Sequence, residues 1–135
     1  MLNRKSLFLP ALLLAVAGFV VGNASVGASP GGDPVKVDAS HFKVIFENEK
    51  VRVVEFHSKP GDKIAMHTHP DHVIYALTDG KVRHTLPDGK TVEKDMKAGQ
   101  AVWVGTTTHS SENIGKTDLN AILYELKPSP AMPAK

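Results

Sequence analysis

The chain has 135 residues, seven histidines, no cysteine and a formal net charge of +2, which limits it to one domain without disulfides. It contains no basic run and no basic helix face, which argues against nucleic acid as a partner. Such a domain depends for its stability on its hydrophobic core or on a bound metal.

The first 28 residues have the pattern of a secretory signal peptide. Arg4 and Lys5 precede an apolar run over residues 7–21, and small residues follow, with cleavage sites after Ala24 or Ala28. The alternative is an uncleaved anchor, since about 15 apolar residues fall just short of a membrane span. Cleavage would leave 14 of the 16 Lys and Arg residues against 14 Asp and Glu residues. We therefore expect a periplasmic or secreted protein without stable membrane association.

The remaining chain divides into a lead-in, a domain and a tail. Residues 29–40 are rich in turn-forming residues and predict a flexible lead-in. Residues 41–127 form short runs of alternating apolar and polar residues separated by turn signals, and none has a helical period. Eight or nine such strands predict an all-β sandwich or barrel. Residues 128–135 contain three prolines and predict a loose tail.

Two turn signals stand out, and the one around Asp79-Gly80 predicts a hairpin. Asp79-Gly80 lies between the runs "HVIYAL" and "VRHTL", and "PDGK" at residues 87–90 follows the second run. Both stretches combine residues that favour tight turns.

Three histidines, His67, His69 and His72, fall within six positions of the segment "MHTHPDH". Side chains at positions i and i+2 of a strand point the same way, with Cα atoms about 7 Å apart. The imidazoles of an H-x-H pair can therefore converge on one metal ion. The alternative is a polar strand face exposed to water.

Two stretches of the sequence resemble the two motifs of the cupin superfamily. "GDKIAMHTHPDHVIYALTDG" has the first glycine, the H-x-H pair and the last glycine of the first motif. "GQAVWVGTTTHSSEN" has Gly99, His109 and Asn113 of the second motif, with one residue fewer between the glycine and the histidine. The resemblance covers roughly residues 42–127. It implies an all-β, cupin-like double-stranded β-helix, or jelly-roll barrel, in a single domain.

The sequence departs from both motifs. The glutamate of the first motif has no counterpart at Val73 or Ile74, and His72 lies one or two places earlier. The Pro-x-Gly of the second motif is replaced by "GTTT", where we expect Gly105 to supply the dihedral angles of a turn.

The resemblance implies a metal site at the mouth of the barrel. His67, His69 and His109 would converge on a divalent transition metal (Zn, Fe, Mn, Ni or Cu), and His72 would be a fourth ligand or a nearby acid–base group. Replacing the carboxylate with an imidazole would make the site one unit more positive. That change would favour an anionic substrate, and Zn or Cu over Mn.

Other residues have weaker signals. Tyr75, Trp103 and Gln100 are candidates for lining a substrate pocket, although Tyr75, Trp103 and Tyr124 in apolar strands are more typical of a core. His84 alternates with two apolar residues that could aim it inward, but a hydrogen-bonded or half-exposed histidine is the more ordinary interpretation. We interpret His41, His57 and Glu112 as surface residues, with Glu112 and Asn113 as alternative partners for the ring of His109.

Three functions remain open from the sequence. The first is a metal-dependent enzyme, such as a dioxygenase, isomerase or hydrolase, acting on a small molecule, for which an anion is one option. The second is a module that binds a small molecule or a metal without catalysis, and the third is a structural cupin without metal. Because a small barrel leaves an edge strand unpaired, we also expect a symmetric homodimer.

Overall fold

The computed structural model describes residues 31–129. The predicted signal peptide and residues 130–135 of the predicted tail lie outside the described residues. Between residues 31 and 129, no helix is long and apolar enough to cross a membrane.

Nine strands and one short helix make up the described part of the chain. They are α1 (Pro34–Val37), β1 (Phe42–Glu47), β2 (Val51–Ser58), β3 (Lys63–His69), β4 (His72–Ala76), β5 (Gly80–Thr85), β6 (Thr91–Met96), β7 (Ala101–Val104), β8 (Thr107–Asn113) and β9 (Leu119–Leu126). One antiparallel sheet has the order β1-β2-β9-β4-β7 and the other has the order β3-β8-β5-β6. Two antiparallel sheets connected in this way form a jelly roll, so the predicted all-β fold is confirmed.

The apolar alternation in the sequence explains how the sheets pack. Leu119, Ala121 and Leu123 are every second residue of β9, and all three are buried. On β2, Val54 pairs with Leu123 and Phe56 pairs with Ala121. Cross-strand partners share a face, so these residues form the inner face of the five-stranded sheet. The core joins both sheets through buried Phe42, Val54, Ile64, Ala121 and Leu123.

Residues 31–40 include the short helix α1 and contact β3, although residues 29–40 were predicted to be a flexible lead-in. Asp33 caps α1 by accepting hydrogen bonds from two backbone N–H groups of its first turn. The carbonyl of Gly32 accepts a backbone N–H of β3 at 2.9 Å. A Cβ on Gly31 would lie 2.5 Å from the backbone of His67, so only glycine lets the segment lie this close to β3.

The turn predicted at residues 87–90 is confirmed, and the hairpin predicted around Asp79-Gly80 is wrong. After β5, the N–H of Leu86 donates to the carbonyl of Lys90 at 2.8 Å, and Gly89 has a φ of +84°. Asp79-Gly80, in contrast, joins β4 to β5, which lie in different sheets. Turn residues mark a change of direction, but the pattern alone does not reveal whether the next strand pairs with the previous one.

The turn between β7 and β8 forms for a different reason from the one predicted. Gly105 does not have a positive φ, which among the described residues occurs only at three other glycines. The carboxylate of Asp71 instead accepts the N–H of Thr106 at 2.7 Å and its hydroxyl at 2.8 Å. A side chain from the segment before β4 thus holds the turn that leads to His109.

Candidate metal centre

Three histidines from two neighbouring strands meet at the inner face of the four-stranded sheet. His67 and His69 are on β3, and His109 is directly opposite His67 on β8. One ring nitrogen from each of the three lies within 4.8 Å of the others. His67 and His69 are buried, at 1% and 3% exposure. This is the triad that the H-x-H pair and the second motif predict.

Hydrogen bonds orient the imidazoles. The Nδ1 of His67 lies 2.7 Å from the carbonyl of Ala65, and the Nδ1 of His69 lies 2.8 Å from Oε1 of Glu125. A carbonyl and a carboxylate only accept hydrogen bonds, so each Nδ1 carries the proton. The Nε2 atoms of both rings therefore keep a lone pair for a metal, as metal-ligating histidines require.

His72 faces this triad from the other sheet. It begins β4, is 1% exposed, and its ring centroid lies 4.9 Å from that of His69. Its Nδ1 donates to the carbonyl of Pro70 at 2.7 Å, which leaves its Nε2 unprotonated as well. His72 lies outside the group of three whose ring nitrogens are within 4.8 Å. Its position fits either predicted role, a fourth ligand or a nearby acid–base group.

His84 also belongs to this cluster, which the sequence did not predict. Its ring stacks on that of His109 with centroids 4.2 Å apart, and its Nδ1 lies 3.0 Å from the hydroxyl of Ser111. A cavity of about 60 Å³ is lined by all five imidazoles, those of His67, His69, His72, His84 and His109. The alternation of His84 with Val82 and Leu86 was the signal for its inward direction.

A network of three charged side chains, those of Asp33, Arg52 and Glu125, lies behind His69. The sequence did not predict it. Glu125 on β9 is 1% exposed and bonds both Nδ1 of His69 and the guanidinium of Arg52, whose Nε lies 2.6 Å from Oε2. Arg52 in turn contacts Asp33, with NH1 2.6 Å from Oδ2. Burial would raise the pKa of Glu125, but hydrogen bonds from His69 and Arg52 outweigh it and the pKa is lowered. Glu125 is therefore ionised at neutral pH.

This network places a carboxylate near the site although the first motif lacks its glutamate. Glu125 lies behind His69 and accepts a hydrogen bond from its Nδ1, and the charge of Glu125 is paired with that of Arg52. The carboxylate therefore acts on the outer nitrogen of a candidate ligand and is not itself a ligand. The expected additional positive charge of the site stays a prediction.

Burial holds the imidazoles of His67, His84 and His109 neutral at neutral pH in the metal-free fold. Burial lowers the pKa of His67 to about 4 and that of His84 to about 4. Burial, together with the neighbouring His84 and His67, lowers the pKa of His109 to about 2. Since metals bind unprotonated imidazole, these rings are ready for a metal at neutral pH without losing a proton.

The metal-free protein should lose stability as the pH falls below about 6.5. In the unfolded chain these histidines take up protons near pH 6.5, whereas in the fold they stay neutral to about 4 for His67 and about 2 for His109. In that pH window the unfolded state binds more protons than the folded state. Each such histidine therefore lowers the free energy of unfolding by up to about 1.4 kcal/mol for each pH unit. Urea denaturation between neutral pH and pH 4.5 measures the slope, with the exposed His57→Ala variant as control. A free energy of unfolding independent of pH would contradict this result.

A larger cavity of about 230 Å³ adjoins the histidines and contains one of the three predicted pocket residues, Gln100. Tyr75 and Trp103 do not line it, and their assignment to a pocket was wrong. Val102 and Val104 face inward, so Trp103 between them points outward and is 57% exposed. Tyr75 and Tyr124 are likewise 38% and 42% exposed, which also corrects their expected place in the core.

The remaining candidates lie outside the cluster. His57 is exposed, and its Nε2 lies 3.1 Å from Asp118. His41 is partly buried between Asp38 and Asp62. The amide of Asn113 is buried and donates to the carbonyls of Ser58 and Thr117, so it does not orient His109. Glu112 pairs with Lys63 and Arg83 at the surface, as expected for a solvated strand residue.

No protein-family model and no curated protein matches the sequence. Solved structures do match. The chain is similar to a cupin domain from Bordetella pertussis Tohama I, with 24% identity, a TM-score of 0.60 and coverage of 76% of this chain and 100% of that one. It is also similar to a conserved protein with a double-stranded β-helix domain from Klebsiella pneumoniae (22% identity, TM-score 0.52, 70% and 84% coverage). An RmlC-like cupin family protein from Methanocaldococcus jannaschii matches at 18% identity, a TM-score of 0.50 and coverage of 63% and 77%.

These likenesses concern the fold. The chain has the double-stranded β-helix fold of cupins, and the resemblance predicted from the two motifs is confirmed at that level. In this fold the described residues bring together a histidine cluster that could bind a metal.

Proposed function

We propose that this protein binds one divalent transition metal through His67, His69 and His109 and uses it on a small molecule held in the adjoining cavity. The observation that carries the proposal is the convergence of three imidazoles, two of which have Nδ1 tied to an acceptor and Nε2 left for a ligand. An all-imidazole donor set suits Zn, Cu, Fe or Ni better than the harder Mn.

The chemistry proposed for the site divides between the metal and the chain. A bound divalent ion supplies a Lewis acid that polarises an oxygen of the bound molecule. Glu125 fixes the ring of His69 by accepting a hydrogen bond from its Nδ1. The ring of His72, with Nδ1 bonded to the carbonyl of Pro70, lies 4.9 Å from that of His69, and we propose that its Nε2 accepts a proton or serves as a fourth ligand. The mainly apolar walls of the cavity suit the apolar part of a bound molecule. The same site without a reaction would be a metal-dependent binding module.

Titration of the metal-free protein with Co²⁺ tests the proposal. We expect visible absorption bands that saturate at one equivalent and change when a small anion such as azide occupies an open coordination position. The His67→Ala variant should lack these bands, whereas the His57→Ala variant should keep them. Absence of the bands in the wild type would exclude the site, and bands insensitive to any added anion would favour a closed, structural metal.

We also propose that the protein acts in the periplasm or outside the cell. The signal-peptide pattern of residues 1–28 supports this location. The intact mass of the natural protein would reveal cleavage after Ala24 or Ala28, and an uncleaved mass would support the anchor.

An apolar row across the outer face of the five-stranded sheet supports the proposal of a homodimer. Paired positions on the five strands carry Phe46, Val53, Tyr124, Val73 and Trp103. Phe46 and Trp103, one at each end of the row, are 53% and 57% exposed. A continuous apolar band of this kind marks an interaction surface, and a second copy of the chain presents a matching one.

The dimer is expected to dissociate when a charge enters this band. Trp103→Glu should give a monomer in sedimentation velocity, because a carboxylate in the contact would be buried without a partner. Thr91→Glu, at an exposed position on the other sheet, should leave the dimer intact. A wild-type protein that sediments as a monomer would contradict the proposed homodimer.

A further inference from the structure

The larger cavity adjoins the histidine cluster and is itself lined by His72, His84 and His109. It shares six lining residues with the small cavity among the imidazoles, namely His72, Ile74, Val82, His84, Met96 and His109. A molecule in the larger cavity would therefore reach the inner rings directly.

The walls of this cavity are mainly apolar. Apart from the histidines, the apolar part of the lining consists of Ile74, Ala76, Val82, Leu86, Val92, Met96, Val102 and Val104, and the polar side chains of Lys94, Asp95, Gln100 and Thr107 also line the cavity. Its volume of about 230 Å³ exceeds the roughly 150 Å³ of an apolar cavity that holds benzene. The space thus fits a compact apolar body of about the size of a substituted benzene ring.

The cavity opens where the two sheets end. β6 is the edge strand of one sheet and β7 is the edge strand of the other, and both contribute lining residues. Val92 on β6 and Val102 on β7 are 41% and 42% exposed although they face the cavity. The two valines therefore lie at the mouth.

One lysine faces into this apolar mouth. Lys94 pairs with Val82, which is buried, and cross-strand partners share a face. No carboxylate lies within ion-pair distance of Lys94 among residues 31–129, where Lys81 and Lys97 both have such a partner. Asp95 is the one carboxylate among the lining residues, and it pairs across the strands with Lys81, on the opposite face from Lys94.

We propose that the cavity takes a small molecule with an apolar body and a single anionic oxygen group, a carboxylate or a phenolate. The anionic group lies at the histidine centre, the body packs against the apolar walls, and the positive charge of Lys94 at the mouth attracts the anion into the cavity. This inference rests on the proposed metal centre, whose positive charge receives the anion. A long-chain, sugar-like or polycationic molecule does not match these walls.

Calorimetry on the zinc-loaded protein tests the inference with three probes. Benzoate carries both features, acetate has the charge without the body, and benzyl alcohol has the body without the charge. Benzoate is expected to bind at least about tenfold more tightly than either of the others, since each lacks one of the two contributions. Equal binding of benzoate and acetate would refute the apolar body, and equal binding of benzoate and benzyl alcohol would refute the anionic group.

Matched variants locate the binding. Val102→Trp should fill the mouth and abolish benzoate binding, whereas Ala101→Trp, on the outer face of the same strand, should not. Lys94→Met should weaken benzoate several-fold and leave benzyl alcohol unchanged, whereas Lys43→Met on β1 should change neither. Val102→Trp with wild-type affinity for benzoate would overturn the inference.

Zinc content separates this inference from the proposed function. Val102→Trp and Lys94→Met replace no member of the triad and should retain one equivalent of zinc. If zinc binds and benzoate does not, the inference about the substrate fails and the metal centre stands. If zinc itself does not bind to the wild type, the proposed function fails first.

Discussion

Replacing His109 with alanine should lower the affinity for Zn²⁺ by about a thousandfold, more than the roughly 10- to 100-fold loss typical of residues that only orient a ligand. His109 is the sole member of the triad on β8, and the two histidines of β3 alone leave a two-ligand site. Competition with a chromophoric chelator measures the affinity. The buried His109 side chain supports neighbouring rings, so circular dichroism must first verify that the variant is folded.

Two control variants make this prediction specific. His57→Ala removes an exposed imidazole far from the cluster and should leave the zinc affinity unchanged. His84→Ala removes the ring stacked on His109 and should reduce the affinity less than His109→Ala does. Equal losses in all three variants would indicate non-specific binding, and no loss in His109→Ala would place the metal elsewhere.

Replacing Glu125 with alanine should lower the free energy of unfolding by about 3–5 kcal/mol, the cost of breaking a buried ion pair by removing one partner. Arg52 would keep only Asp33, and Nδ1 of His69 would lose its acceptor. The zinc affinity should also fall by about 10- to 100-fold, because His69 would no longer be held in one tautomer. Urea denaturation and chelator competition measure the two effects.

Glu112→Ala is the matched control, because Glu112 forms ion pairs at the surface, where such pairs contribute about 0–1 kcal/mol. Glu125→Gln keeps an oxygen acceptor for His69 without the charge, so it should retain more zinc affinity than Glu125→Ala. If Glu125→Ala is no less stable than Glu112→Ala, the buried network of charged side chains contributes little to the free energy of unfolding. If Glu125→Gln loses as much zinc affinity as Glu125→Ala, the charge matters more than ring orientation.

Local patterns accounted for the fold and for the triad. Period-2 alternation marks strands whatever their partners, and the H-x-H pair places His67 and His69 on one face without any knowledge of the sheet. His109 could be added because a resemblance to a second motif supplied the distant partner. The strand pairings themselves, such as the separation of β4 and β5 into different sheets, depend on long-range packing that no single segment encodes.

The direction of the aromatic residues could not be predicted for a related reason. Alternation shows that Val102 and Val104 lie on one face of β7 and that Trp103 lies on the opposite face. Since both faces carry large apolar residues, the pattern does not decide which one is inside. An interaction surface on the outer face has the same local appearance as a core.

The network of charged side chains behind His69 could not be predicted for another reason. Leu119, Ala121, Leu123 and Glu125 are every second residue of β9, so they all point inward. This alternation was the only sign in the sequence that Glu125 is buried. A charge there is tolerable only with partners, and its partner Arg52 is 73 residues away in the sequence. The sequence shows the two residues but not their contact.

Elemental analysis of the natural protein, purified without a histidine tag, is the decisive test of the proposed metal centre. We expect about one equivalent of a transition metal per chain, because the three imidazoles form one site, and we expect the metal to be lost in the His67→Ala variant. Iron would direct the search to oxygen chemistry, and zinc to hydrolysis or isomerisation. A wild-type protein that contains no metal, and takes up none on titration, would contradict the account.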